Sequence, residues 1–427
     1  MNRQGRCGFL LLTMLLLAAA SYGLEGRVVD AESGQGIAGA TVTIGDHAVV
    51  TDASGRFEID GSREAILARA PGYRACKTSA GEFTKANGTL RLTPFLPKAV
   101  YLSVYGIGSK PLRNAVFTLA ANGPVNAVVI DIKGDRGLIP YPSAIPLANS
   151  DGARAVKTIP TLAGLVTDLH NRGIYAIARI VVFKDTPLAT ARPDLAVKRA
   201  DGRLYRDREG LAWTDPFQPE VRNYNVAIAL EAARAGFDEI QFDYVRFPDI
   251  ANQLRFAQAT TEGSRRKAID GFLADARRQL IPYNVFLAVD IFGYVCWNTN
   301  DTGIGQQLED IVATVDYISP MLYPSCFQCG IPGYRNPVSY PYQIVRDTLQ
   351  NAAHRVNVSP RRFRPWLQAF KDYAFDRRTF GPSEIDAQIR GAADFGSDGW
   401  MLWNPRNDYG EAGLGASTAH GKLTGTQ

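Results

Sequence analysis

Short apolar runs recur along most of the chain, each closing on polar or aromatic side chains and most followed by a stretch with helical spacing. They lie at 101–105, 127–133, 175–183, 239–246, 286–292, 317–323, 366–370 and 399–403. Between them, 158–172 sets Leu162, Leu165, Val166 and Leu169 on one helical face before Gly173. The stretch 219–235 does the same with Val221, Tyr224, Ala227, Ile228 and Ala232 before Gly236. Further helices are predicted over 266–280, 305–315, 342–355 and 383–395, whereas the short Gly-rich stretch after Trp403 gives little support to a closing helix. Eight strands alternating with helices predict an α/β fold, the (β/α)8 TIM barrel, whose active-site face is built from the C-terminal ends of the strands. Two connections, 134–157 and 184–218, exceed the roughly 15 residues beyond which a loop in a compact domain is usually functional. In a barrel they would roof a substrate groove.

Residues 24–97 have a different texture. Short alternating segments at 27–29, 40–44, 48–51 and 56–59 are broken by Gly, Asp and Ser turns, the pattern of an antiparallel β-sandwich. The runs GRVVD (26–30), GATV (39–42), TDASGRF (51–57) and APGY (70–73) resemble the carboxypeptidase regulatory-like sandwich of exported bacterial proteins. That resemblance implies a small all-β domain and no particular ligand. Its aromatics Phe57, Tyr73 and Phe83 fit a core better than a sugar platform. The run TPFLP (93–97) makes a stiff junction into a barrel expected over 98–408, with a Gly-rich tail at 409–427.

Residues 1–23 combine Arg3 and Arg6 with an apolar stretch from Phe9 to Ala20 and a small-residue exit, the pattern of a secretory signal peptide. The apolar stretch is too short for a bilayer span of about 20 residues, so no stable membrane insertion is expected after cleavage. The protein is expected to be exported, periplasmic or extracellular. Without the two arginines the formal charge of +5 falls to roughly +3, too weak and too scattered to argue for nucleic acid. Cys76, Cys296, Cys326 and Cys329 then remain. The Cys326/Cys329 pair lacks the second ligand pair that zinc requires, and a local loop disulfide is the plainer reading.

The chemistry concentrates at strand ends. In 239–246, period two sets Glu239, Gln241 and Asp243 on one face and Ile240, Phe242 and Tyr244 on the other. The polar face then points into the barrel, an expensive arrangement unless those groups are paired or used. Glu239, near the bottom, reads as structural and Asp243, at the top, as catalytic, with Arg246 near enough to pair with substrate or with Asp243 itself. Asp290 ends the fifth strand among apolar neighbours that would raise its pKa and suit it to an acid role. Two facing carboxylates are the equipment for breaking a glycosidic bond. Asp243 and Asp290 are therefore expected to face each other across the groove, with Tyr323 and Arg246 nearby and Asp131 in reserve as the second carboxylate. Asp131 and Lys133 close the second strand and Arg179 lies within the third. With Asp135 they could hold sugar hydroxyls or an acidic sugar group. Rings at Tyr105, Trp213, Tyr244, Phe292, Trp297, Tyr323, Trp400 and Trp403 favour a carbohydrate groove, and Gln368 and Asn404 add neutral groups suited to hydroxyls. The chain has 4 His, and none before the tail lies at a strand end, so a Ser–His–Asp triad or a His-based metal site lacks its parts. No phosphate-binding Gly loop is present either, and no metal or cofactor is implied.

The segments DEIQFDYVRFP (238–248), AVVIDIK (127–133), ARIVVFKD (178–185), ISPMLYP (318–324) and DGWMLWN (398–404) resemble a bacterial family of glycoside-hydrolase-like barrels, over about 98–408. That family is related more distantly to the α-amylase-like glycosidases. The resemblance implies a (β/α)8 glycosidase and, by analogy, a nucleophile at the strand-four Asp, here Asp243. Amylase-like enzymes carry an Arg two residues before that Asp and a Glu after strand five, where this chain has Gln241 and Asp290. The leading expectation is an exported glycoside hydrolase acting on a cell-envelope or extracellular polysaccharide. The alternative is a barrel that binds polysaccharide in an envelope assembly without cleaving it.

Overall fold

The computed structural model describes residues 23–60 and 65–414. The leader expected at 1–23, apart from Gly23, and the tail beyond 414 lie outside them. Eight parallel strands close into one ring: β1 (Lys98–Leu102), β2 (Ala127–Lys133), β3 (Tyr175–Val181), β4 (Glu239–Asp243), β5 (Phe286–Phe292), β6 (Tyr317–Met321), β7 (Trp366–Gln368) and β8 (Trp400–Trp403). Neighbours in sequence are neighbours in the ring, and β8 pairs back onto β1. The fold is a TIM barrel. Helices occupy the crossovers at Lys110–Asn122, Leu162–Asn171, Pro219–Ala235, Glu262–Leu280, Leu308–Thr314, Pro341–Val356 and Pro382–Phe395. The first of these was not evident in the sequence. Thr161 caps one helix by accepting the Gly164 N–H, and Gly236, at φ +95°, ends another in the left-handed conformation glycine adopts without penalty. After β8 the described chain makes only a short 3-10 turn, and its packing continues through Leu414.

Strand alternation divides the apolar residues into two layers. Ala176, Ala178, Ile180, Ile240, Phe242, Leu287 and Val289 face the helices in the main core. Ala99, Tyr101, Val129, Tyr175, Ile177, Phe286, Ala288 and Trp366 fill the barrel. Such filling makes the interior a packed core rather than a pore.

The N-terminal residues form a three-stranded sheet (Arg56–Asp60, Gly23–Asp30, Thr89–Leu92) and a four-stranded sheet (His47–Val50, Thr41–Ile44, Ile66–Arg69, Cys76–Thr78). The two sheets share one core that includes Val28, Val42, Phe57, Ile66, Phe83 and Leu90. This module meets the base of the barrel, where the strands begin. Buried Arg69 donates to Asp316 at 3.3 Å and Asn284 at 3.1 Å, just ahead of β6 and β5. The Gly72 N–H donates to the Tyr317 hydroxyl at 3.2 Å. From the junction, Phe95 packs against Tyr175 at the start of β3, with the Arg74 guanidinium 3.8 Å over its ring.

Candidate active site

The barrel axis carries two charged layers. At the base, buried Arg364 donates to Glu239 at 2.6 Å and to Asp398 at 3.0 Å and lies 3.9 Å over the Tyr317 ring. The Tyr175 hydroxyl also donates to Glu239. Above it, the Gln241 amide donates to Ser319.

The top layer is organised by Arg179. Third in the inward series Tyr175, Ile177, Arg179 of β3, it is 1 % exposed and uses its whole guanidinium on carboxylates. Nη1 donates to Asp131 at 2.6 Å, and Nη2 donates to Asp135 at 2.8 Å and Asp243 at 2.6 Å. Nε donates to Asp243 at 3.0 Å and stands 3.9 Å from Asp290. Desolvation of the cation is offset by these partners, and the Tyr101 and Trp403 rings flank it. Asp243 also accepts the N–H of Tyr244 at 2.5 Å. Tyr244 sits at φ +49°, an unfavourable conformation for a bulky residue, worth about 1–3 kcal/mol of strain.

The register that pairs Phe242 with Val289 sets Asp243 and Asp290 side by side. Both reach the same Arg179 Nε, so the two oxygens are no further apart than those two contacts laid end to end. Asp290 Oδ1 accepts the Trp366 indole N–H at 2.8 Å, while Oδ2 is buried without a hydrogen-bond partner. Burial first, then the adjacent Asp243 charge, pushes Asp290 well above the usual carboxylate range. Asp131 accepts from Arg179 and from the Tyr101 hydroxyl, yet burial raises it to about 7.

Two cavities open above this layer. One of about 240 Å³ has Arg179 and Asp243 in its lining, with Tyr244, Arg246, Tyr323 and Trp366 around them. The other, about 230 Å³, is bounded by Tyr101, Tyr105, Asp131 and Arg136. Asp135 and Trp403 line both. Trp403 stacks on Tyr101 with ring centroids 4.0 Å apart, leaving a broad aromatic wall. Trp213 lies one step further out, in a smaller cavity that also takes in Lys184, Tyr244 and Arg246. A wider concavity of about 620 Å³ on the N-terminal module is lined by charged side chains that are all exposed, and it lacks the buried acids found here.

Several expected binding residues are committed elsewhere. Lys133 is fully buried outside the ring, 2.7 Å from Asp185 and donating to Asn225 at 2.8 Å. A bulge in the β2–β3 pairing, where Asp131 faces Arg179 and Lys133 already faces Ile180, breaks the period of two and sends Lys133 outward. Gln368 is consumed by Ser325 and the Phe370 carbonyl. Asn404 is likewise held by the Ala369 and Asp408 carbonyls and the Arg406 N–H. Both are loop ties. Arg246 pairs with Asp249 at 2.8 Å, stacks over Trp213 and Tyr244, and leaves Asp243 to Arg179. Trp297 and Trp400 pack into the helix layer. Cys326 and Cys329 are not joined: Cys326 contacts the Tyr373 hydroxyl, and Cys329 is exposed. Asp135, expected to help hold sugar hydroxyls or an acidic sugar group, lies at the junction of the two cavities on the turn between Gly134 and Gly137 just after β2.

Residues 99–409 match the family model described as "Putative glycosyl hydrolase domain". The chain belongs to that family. No curated protein matches. Among solved structures, a hypothetical protein from Ruminiclostridium thermocellum is 38 % identical over 45 % of this chain and 96 % of its own, with a TM-score of 0.40. The PgaB (BpsB) glycoside hydrolase domain from Bordetella bronchiseptica is 14 % identical, over 74 % of this chain and 95 % of its own, with a TM-score of 0.53. That second likeness is one of fold alone. Family membership gives the chain a glycosyl hydrolase-like domain, with the Arg179 cluster at the end of the barrel where such folds carry their chemistry.

Proposed function

We propose that this protein hydrolyses glycosidic bonds in a cell-envelope or extracellular polysaccharide after export directed by its leader. One observation carries the reading. Asp243 ends β4 in a cavity walled by aromatic rings, with two guanidinium N–H groups and one main-chain N–H donating to its carboxylate. Such a carboxylate is suited to meet positive charge developing at an anomeric carbon. In this reading Asp243 attacks or stabilises that carbon. Asp290 keeps its proton behind it, and Tyr244, Tyr323 and Trp403 offer flat faces to sugar rings. Purified envelope and extracellular polysaccharides incubated with wild type and Asp243→Asn should release reducing ends only with wild type, the variant falling at least about 10³-fold. Equal binding by both proteins with no cleavage by either would establish the non-catalytic alternative instead.

A further inference from the structure

We propose that Asp135 is the second catalytic carboxylate and protonates the oxygen between the two sugars; this rests on the hydrolase reading above. Four carboxyl groups surround Arg179, and a group that meets substrate must reach a cavity. The Asp290 side chain is 0 % exposed and lines neither cavity. Asp131 touches the cavity of about 230 Å³ but is 2 % exposed, with both oxygens taken by Arg179 and Tyr101, and it does not reach the cavity that holds Asp243. The Asp135 side chain is 35 % exposed and reaches Arg179 through one oxygen, Oδ1.

Position adds to accessibility. Asp243 lines only the cavity of about 240 Å³, so the sugar whose anomeric carbon reacts belongs there. The adjoining cavity of about 230 Å³ would take the leaving sugar. Asp135 lines both, and the bond to be broken spans their junction. Asp135 and Asp243 also accept from the same Arg179 Nη2, at 2.8 and 2.6 Å. The accepting oxygens therefore lie closer together than the roughly 6.5–9.5 Å of an inverting pair, which favours a retaining course. The turn that presents Asp135 is tight: the Gly137 N–H donates to the Gly134 carbonyl at 2.8 Å, and Gly137 has φ +77°. A Cβ at Gly137 would stand 2.4 Å from Asp185 Oδ1, so the loop is pressed against its neighbour.

In the first step an Asp243 oxygen bonds to the anomeric carbon as the glycosidic C–O bond breaks. The bonding pair goes to the leaving oxygen, which takes the proton of the Asp135 carboxylic acid. In the second, water attacks the same carbon and gives a proton to the Asp135 carboxylate. The ester C–O bond breaks and its electron pair returns to Asp243.

The test uses the full chain and a panel of phenyl and 2,4-dinitrophenyl glycosides of common hexoses and hexosamines, beside a polysaccharide cleaved by wild type. Asp135→Ala should lose about 10²–10⁴-fold on phenyl glycosides and polysaccharide. It should keep much of its kcat/KM on dinitrophenyl glycosides, whose leaving group needs no proton, while kcat falls because the water step lacks its base. Azide, which needs no base, should restore that turnover as a glycosyl azide of retained configuration. Asp243→Ala should lose both substrate classes. Equal loss of Asp135→Ala on both classes without azide rescue, or this signature in Asp290→Asn instead, would overturn the assignment while leaving the hydrolase reading intact. Wild type inert on every polysaccharide and glycoside would overturn that reading and this one together.

Discussion

Replacing Asp131 by Asn should change how stability depends on pH, by an amount the structure sets. Burial holds the Asp131 carboxyl protonated up to about 7 in the folded chain, although Arg179 and Tyr101 both donate to it. In the unfolded chain the same carboxyl ionises near about 3.9. Between those values the folded state binds the extra proton, so wild-type stability falls as pH rises from about 4 to about 7 and then levels off. At about 1.36 kcal/mol per pH unit the loss from this residue comes to about 4 kcal/mol. Asn cannot titrate, keeps an oxygen for Arg179 Nη1, and lacks this loss. Urea unfolding of both proteins from about pH 4.5 to about pH 8 should show the variant gaining on wild type by roughly 3–4 kcal/mol across the range. Other acids titrate in both chains and largely cancel. A stability difference that stays flat with pH would refute the reasoning, because it would mean that Asp131 ionises alike folded and unfolded.

Two further substitutions test the outward placement of Lys133 and the seam between module and barrel. Lys133→Met should cost about 3–5 kcal/mol by leaving Asp185 buried without its cation, while KM for any cleaved polysaccharide stays unchanged; a raised KM at unaltered Tm would return Lys133 to the groove. Arg69→Ala should lower thermal stability by roughly 1–3 kcal/mol, since Asn284 and part of Asp316 lose a buried partner, with kcat per folded molecule preserved. Unfolding that separates into two transitions only in the variant would show that Arg69 couples module and barrel into one unit.

Much of the barrel was legible because burial on both sides of the ring leaves a strong trace. β2, β3 and β5 run as near-continuous apolar segments, and the inward polar interruptions located Asp131, Arg179 and Asp290, while Lys133 at the end of β2 points outward. Strand ends were less legible. The first strand begins at Lys98, ahead of the expected 101, and ends at Leu102 because the Ser103 hydroxyl and N–H both turn to Asn407. Strand four stops at Asp243 because Tyr244 leaves extended geometry. The orientation of Lys133 was beyond a period-two argument, since a bulge depends on the partner strand. Gln368 and Asn404 show the complementary failure: a neutral amide at a strand tip serves a sugar hydroxyl or a loop carbonyl equally well, and only the folded loops decide. Arg179 could be placed in the barrel from its own strand, but its partners come from β2, β4 and the loop after β2, so its role as the common holder of the acids was not readable locally.

The docking of the small module onto the base of the barrel gives the molecule a polarity. Its seam, made by Arg69, Gly72 and Phe95, lies where the strands begin, and the cavities lie where they end. A support or fusion partner that grips the module therefore leaves the mouth facing the medium. A long polymer could slide across that mouth without meeting the attachment, so immobilisation through the module should cost little access even for chains far longer than the barrel is wide.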